Sequence, residues 1–255
     1  MIFDAHFHYA VCAERKICNF PLNIEWKALS CAHTFDEWRI QENAPDNIYK
    51  AFGIHPQIVG KVNIPEYKLF MEKLARENKL DAIGEAGFDF FTDEYKMTKE
   101  IQEDVWRFEL ELAAQYNIPL VVHCRKGNDK LFQYSRELKK IPAVLFHSFM
   151  GSLVEAESLI NRNINCFFSF GKQLMNNNKK VIDCVKNLPT EHLLLETDAP
   201  FQTLKGEENT FPGDIIKIYE EGYKLRNESF TCISYDNFID SLYKNSKVLV
   251  STIQI

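Results

Sequence analysis

No stretch of the 255 residues runs eighteen apolar positions without interruption, so no membrane-spanning helix is expected. No signal-peptide pattern stands ahead of the first strand-like segment. Paired-cysteine spacing is missing as well: the seven cysteines are an odd number, and Cys12 and Cys18 stand six apart. Reduced thiols in a cytoplasmic protein are therefore expected. Positive charge is short too, with 30 Lys and Arg against 36 Asp and Glu and a formal net charge of −6. That excludes a broad electrostatic footprint for nucleic acid; a phosphate substrate has to be held locally, by metal ions or a few basic loop residues. Internal repeats, low-complexity tracts and a dividing linker are also absent. What remains, 45% hydrophobic and 26% charged, is an ordinary globular chain.

Hydrophobic patterning divides that chain into alternating segments. The expected strands are Met1–His8, Trp26–Ala32, Ile48–Ile54, Leu80–Gly87, Leu120–His123, Ala143–His147, Ile164–Phe170 and His192–Glu196. Helices are predicted over Thr34–Asn43, Pro65–Asn78, Lys96–Tyr116, Lys126–Leu138 and Leu153–Asn161. Three more follow: from Asn178 to Leu188, over Gly213–Leu225 and over Asp236–Val250. Tyr9–Glu25 shows no helical period and reads as an irregular connection. Leu120-Val-Val, Ala143-Val-Leu-Phe and Leu193-Leu-Leu are continuous apolar runs, as strands buried on both faces require. Eight strands with connections too long for hairpins are parallel βα units, which close most naturally into a barrel. The expected fold is an α/β, (β/α)8 TIM-type barrel spanning 1–255 as a single domain.

Ionisable residues interrupt the C-terminal strand ends. His6 and His8 end the first strand, Glu85 and Asp89 the fourth, His123 the fifth, His147 the sixth, and Glu196 and Asp198 the eighth. Alternate residues of a strand share a face with Cα atoms about 6.5–7 Å apart, so His6 and His8 can turn toward one ion. Chance supplies such a pair in roughly one comparable chain in five, and a strand-end acid is often a helix cap. In a barrel, however, all these ends meet at one mouth. Local capping does not explain why four of seven histidines share it with the acids. A mixed imidazole and carboxylate cluster suits one or two divalent ions: zinc is favoured by the nitrogens, and manganese or magnesium is tolerated by the oxygens.

The order His-x-His, Glu, His, His, Asp resembles the metal-dependent hydrolase superfamily. Many of its amidohydrolase and phosphotriesterase branches carry a carboxylated lysine where Glu85 stands, which points away from them. Six blocks narrow the likeness. Phe3-Asp-Ala-His6-Phe-His8, Gly53-Ile-His55-Pro56 and Gly84-Glu85-Ala-Gly87-Phe-Asp89 come first. Pro119-Leu-Val-Val-His123-Cys-Arg125, His147-Ser-Phe149-Met-Gly151 and Leu195-Glu196-Thr-Asp198-Ala-Pro200 follow. In that order they resemble the TatD family of metal-dependent deoxyribonucleases over about residues 1–201. The resemblance implies two divalent metal ions (Zn, Mg or Mn), one on His6, His8 and Asp198, the other on His123 and His147, with Glu85 bridging. It also implies a DNA or other phosphodiester substrate held at the mouth and cut from an end; no obligate protein partner is expected. The chain departs from the family pattern at Ala10, where an aspartate is usual, and after strand eight, where Asn209 and Pro212 stand without an arginine before them.

Asp198 is the candidate for orienting and deprotonating the attacking water, with a helix N-cap as its alternative. Glu85 as a bridge competes with a solvated turn acid. Glu196 and Asp89 are expected behind the ligands, orienting histidines or loop amides. His55, Arg125 and Lys172 are candidate contacts to a substrate phosphate; a backbone-bonded, an ion-paired and a solvated side chain are the respective alternatives. His33 and His192 are assigned to structure or surface, and Cys124 to the face away from His123. Two other functions stay open: ester or amide hydrolysis, including an aminoacyl-nucleic-acid substrate, and a metal-binding scaffold without turnover.

Overall fold

Strands buried on both faces need helices on the outside and side chains filling the inside, and the chain supplies both. The computed structural model describes residues 1–22, 24–229 and 233–250; residues 251–255 of the expected 1–255 unit lie outside the described residues, as do 23 and 230–232. Eight parallel strands form one sheet in sequence order: β1 (Ile2–Phe7), β2 (Trp26–Ala32), β3 (Ile48–Phe52), β4 (Ala82–Asp89), β5 (Leu120–Arg125), β6 (Val144–Phe146), β7 (Cys166–Phe170) and β8 (Leu193–Leu195). The helices of the first half are α1 (Tyr9–Glu14), α2 (Phe35–Gln41), α3 (Ile64–Arg76), α4 (Asp93–Met97) and α5 (Lys99–Tyr116). Those of the second half are α6 (Asn128–Gln133), α7 (Ser135–Leu138), α8 (Leu153–Ile160), α9 (Lys179–Asn187), α10 (Ile215–Ser229) and α11 (Tyr235–Val250). The (β/α)8 barrel expected from the sequence is the fold observed.

The seam between β8 and β1 is closed by side chains as well as backbone. Asp198 N donates to His6 O at 2.9 Å, and His8 N donates to Ala199 O at 2.8 Å. The buried Asp4 carboxylate accepts from Thr197 N (2.8 Å) and Thr197 Oγ1 (2.6 Å). Tyr219 of α10 donates its hydroxyl to Phe3 O at 2.9 Å. Burial pushes the Asp4 carboxyl up to about 7 against these donors. Inside the barrel Phe3, Leu29, Val121, Leu145, Phe167 and Leu194 fill the bore with the small Ala5, Ala51, Ala82 and Ala143. Asn245 of α11 caps the start of β8 through Thr190 O and Leu193 O. A larger apolar layer lies between sheet and helices, with Trp106, Phe52, Phe88 and Phe168 fully buried.

Four local readings differ from the sequence expectation. Tyr9–Glu14 is a helix, where an irregular connection was expected; six residues are too few to show a helical period, and only Ala10 and Cys12 face inward. The short α4 was not anticipated; Thr92 Oγ1 starts it by accepting from Tyr95 N at 3.3 Å. The single helix expected over Lys126–Leu138 is two, interrupted at Tyr134, whose hydroxyl is tied to Glu103 (2.6 Å) and Arg107 (2.8 Å) of α5. Finally, β4 continues to Asp89, so Glu85 lies inside the strand and not at its end. Among the described residues no helix is long and apolar enough to cross a membrane, and the six cysteines there are unpaired.

Glu109 on α5 is fully buried, and its Oε1 accepts from Ile54 N at 2.8 Å. Burial pushes this carboxyl well above the usual range, against that one hydrogen bond. A raised folded-state pKa stabilises the fold below the ordinary Glu range and loses that contribution as pH rises toward the raised value. Relative to Glu109→Gln, the wild type should lose about 1.4 kcal/mol per pH unit across that window. Urea unfolding of both proteins from pH 5 upward measures it; parallel curves would show that Glu109 does not titrate on unfolding.

Candidate metal centre

Two one-residue bulges aim the central donors. Between β1 and β2 the register slips as Asp4 pairs with Ala28 and Phe7 with Ser30, three steps against two. Between β4 and β5 the same happens from Ile83–Leu120 to Ala86–Val122, which places the extra residue at Gly84-Glu85. A bulge re-aims side chains and commonly adjoins active sites. Gly84 has φ +149°, and a Cβ there would stand 2.6 Å from Val121 O; Gly87, with φ +133°, would meet His123 O at 2.2 Å. Only glycine lets β4 come this close to β5 on both sides of Glu85.

Glu85 is the hub. Six of the seven histidines bring a ring nitrogen to its carboxylate: His147 at 2.6 Å, His33 at 3.1 Å, His6 at 3.4 Å, His8 and His123 at 3.5 Å, and His55 at 3.7 Å. Burial alone would raise its pKa, but the imidazoles of His147, His6 and His55 outweigh it and hold the carboxyl well below the usual range. Burial likewise opposes ionisation of Asp198, and hydrogen bonds from His6 and His8 overturn it. His147 moves the other way, up to about 9: burial lowers it, and the Glu85 charge raises it further. The cavity is built for positive charge at its centre.

Donor spacing tests whether an ion fits. Three donors, His6 Nε2, His8 Nε2 and Asp198 Oδ1, stand within reach of one ion, and Glu85 Oε1 approaches both histidines. Their separations are 3.2 Å between the histidines, 3.4 and 3.5 Å to Glu85, and 3.5 and 3.3 Å to Asp198. Donors about 2.0–2.2 Å from one ion at tetrahedral angles stand about 3.3–3.6 Å apart. This set fits. The second set, Glu85 Oε2, His123 Nδ1 and His147 Nε2, has separations of 2.6, 3.2 and 3.5 Å. The 2.6 Å contact is a charge-assisted hydrogen bond, so an ion there displaces the shared proton and spreads the pair. The chemistry of these donors fits, and the spacing needs that adjustment.

Partners outside the cluster fix the ring nitrogens that face it. Asp89 Oδ2 lies 3.2 Å from His123 Nε2, which leaves Nδ1 inward; Gln57 Nε2 (2.7 Å) and Phe91 N (2.9 Å) hold Asp89 in turn. Cys31 Sγ approaches His6 Nδ1 at 3.5 Å. Glu196 accepts from Ser148 N (2.8 Å) and Ser169 Oγ (2.5 Å), beside the ring of His147. Asp89 and Glu196 thus stand where the sequence reading put them, behind the histidines.

The proposed ligands His6, His8, Glu85, His123, His147 and Asp198 are brought together at one mouth, with a cavity of about 620 Å³ above them. His55 and Arg125 line it. Lys172 does not: it is buried in ion pairs with Glu207 (2.6 Å) and Asp214 (2.8 Å) and ties the turn after β7 to the segment before α10. The expected phosphate contact there is replaced by a structural pair, because two carboxylates already satisfy the ammonium. His33 corrects the reading in the opposite direction. Assigned to structure or surface, it lines the cavity; its place just past β2, at the same barrel end as the other histidines, was the available signal. His192 bonds to Cys166 O at 2.7 Å, away from the mouth. Cys124 turns its sulfur to Asn128 Oδ1 at 3.5 Å, and burial pushes its thiol up to about 12. Sequence reasoning missed Gln57, Gln173 and Gln202, amides on the cavity wall that no motif marks, and gave no role to Ser148, which lies within the His147 block. Beside the cavity Arg15 Nη1 donates to Asn209 Oδ1 at 2.7 Å, so an arginine from the first connection reaches the asparagine that lacks one before it in sequence.

A βα barrel whose strand ends converge on imidazoles and carboxylates is built as a metal-dependent hydrolase. The chain belongs to the TatD family: the family described as TatD related DNase matches residues 3–250. It is 33% identical over 192 residues to the uncharacterized metal-dependent hydrolase YabD of Bacillus subtilis, covering 72% of each chain. Identity is 32% over 152 residues to the 3'-5' ssDNA/RNA exonuclease TatD of Klebsiella pneumoniae, or 58% of this chain and 56% of that one. The crystal structure of the TatD homologue YjjV from Escherichia coli superposes with a TM-score of 0.84 over 98% of both chains, at 24% identity, which bears on fold.

Asp89→Asn should weaken binding of one divalent ion about 10- to 100-fold while leaving the other unchanged, because it supports only the His123 side. Calorimetric titration of chelator-stripped protein with Mn²⁺ or Zn²⁺ reads this, and equal loss at both sites would contradict it.

Proposed function

We propose that this protein is a nuclease, a phosphodiesterase that removes nucleotides from an end of single-stranded DNA by attack of an activated water. The observation that carries the reading is the two-sided environment of Glu85, with His6 and His8 facing Oε1 and His123 and His147 facing Oε2. His6, His8 and Asp198 would hold one ion and His123 and His147 another, each sharing Glu85. Two divalent ions so held supply Lewis acidity and bring the pKa of the attacking water near neutrality; zinc, manganese and magnesium all suit the donors.

The chain's own groups do the rest. Asp198 accepts the proton of the attacking water. Its Oδ1 sits among the ligand nitrogens, while Gln202 Nε2 donates to Oδ2 at 3.0 Å and fixes the carboxylate plane. His55 Nδ1 accepts from Gln57 N at 3.1 Å, so in the neutral ring Nε2 carries the proton and faces the cavity as a donor to a phosphate oxygen. Burial and the neighbouring His123 keep its pKa well below the usual value, which favours that neutral form. Arg125 is exposed at the rim, makes no ion pair among the described residues, and offers a charged fork to the next phosphate. The relative named as a 3'-5' ssDNA/RNA exonuclease supports the choice of nucleic acid over a simple ester.

Asp198→Asn, assayed at saturating divalent ion, should lower kcat about 10²- to 10⁴-fold on a labelled single-stranded oligonucleotide. Wild-type rates in that variant would sink the mechanism. His55→Ala should lower kcat/KM about tenfold or more by removing one charge-assisted hydrogen bond. Steady-state kinetics checks this, and an unchanged kcat/KM would remove His55 from the phosphate.

A further inference from the structure

We propose that the substrate strand leaves the mouth along a basic, aromatic-lined groove formed by the loops after β4 and β5, and that this groove binds the nucleotides flanking the scissile bond. The proposal rests on the nuclease reading above. The groove is a second cavity of about 900 Å³, lined by Phe90, Phe91, Lys96, Lys99, Lys126 and Lys130. Both loops belong to the C-terminal face of the barrel, the face that carries the metal centre. The two cavities adjoin through one contact: Arg125, on the rim of the mouth, stacks its guanidinium 3.4 Å from the ring centroid of Phe91, on the wall of the groove.

Charge singles this surface out. The chain is acidic, yet four lysines line this groove against two carboxylates, Glu100 and Glu103, with Arg125 at its edge and Asp93 beside Lys96. Glu103 is already taken by Lys130 (2.8 Å), Tyr134 (2.6 Å) and Arg107 (3.1 Å). Lys96 has a local partner in Asp93 at 2.9 Å. Lys99 and Lys126 are exposed and make no ion pair among the described residues. Neither helps the fold by its position. Lys99 opens α5, where the helix dipole disfavours a cation, and Lys126 has φ +62°, a region a lysine rarely adopts.

Aromatic side chains decide the occupant. Phe91 is 50% exposed on the groove wall. A half-exposed ring beside unpaired lysines is how proteins hold single-stranded nucleic acid: bases stack on the ring and phosphates meet the ammonium groups. An acidic peptide would use the lysines and gain nothing from the exposed part of the ring that Arg125 leaves open. The groove also explains how an acidic chain can hold a polyanion with few contacts, which predicts a shallow salt dependence.

The test uses the full chain in chelator, which stops cleavage, with fluorescein-labelled oligothymidylates of three and twelve nucleotides read by anisotropy. The longer strand should bind at least about tenfold more tightly. Lys99→Gln/Lys126→Asn should remove most of that advantage and reduce the log–log salt slope by about 1.4, at about 0.7 per phosphate contact on a single strand. The same variant, reloaded with metal, should hydrolyse a p-nitrophenyl thymidine phosphodiester at the wild-type rate, since that substrate ends at the mouth; this also shows that the variant is folded. Three results overturn the groove while leaving the nuclease reading intact: equal binding of both lengths, an unchanged twelve-nucleotide affinity in the variant, or equal competition by an oligoglutamate of matched charge. Wild-type protein that cleaves no phosphodiester overturns the nuclease reading and the groove with it.

Discussion

A single buried carboxylate sets the terms for this molecule. Glu85 is 2% exposed, and six imidazoles approach it within 3.7 Å. An anion in that position is tolerable only if positive charge balances it, and the surrounding rings supply that charge by protonation or yield it to a metal. Everything that brings β4 to this point serves the balance: the bulge at Gly84-Glu85, the glycines on both sides, and the neighbouring strands that deliver histidines at the same height. Barrel closure depends on the same region. Asp198 N bonds to His6 O, so the backbone hydrogen bond across the seam joins two of the proposed ligands of one ion.

Much of this was legible in the sequence, for physical reasons. A parallel barrel brings all C-terminal strand ends to one mouth, so polar residues interrupting apolar strands there had to meet. Strand count, order and the six proposed ligands followed from that rule and from the resemblance to the TatD family. The bulges were not legible. Simple alternation placed His6 and His8 on one face of a strand, whereas β1 ends at Phe7 and His8 opens α1, so the two Nε2 atoms meet at 3.2 Å by way of a bulge and a turn. Glu85 was read as a strand-end acid for the same reason, because a bulge leaves no mark on hydrophobic period.

Single residues outside the motifs were the least legible. His33 was assigned to structure or surface, though it stands just past a strand at the right barrel face. Lys172 was read as a phosphate contact or a solvated loop lysine, and only the fold shows Glu207 and Asp214 waiting for it. Gln202 carries no sequence signal at all, yet its amide bonds Ser148, Glu196 and Asp198 together at 2.9, 3.2 and 3.0 Å. Such residues are chosen by three-dimensional hydrogen-bond satisfaction, which no linear pattern encodes.

The central claim is that Glu85 is shared between two ions. Anomalous diffraction from crystals of the full chain grown with Mn²⁺ tests it most directly. Two peaks about 3.5–4 Å apart, one beside each oxygen of Glu85, are the predicted result. A single peak, or two that leave Glu85 outside their coordination, would contradict it.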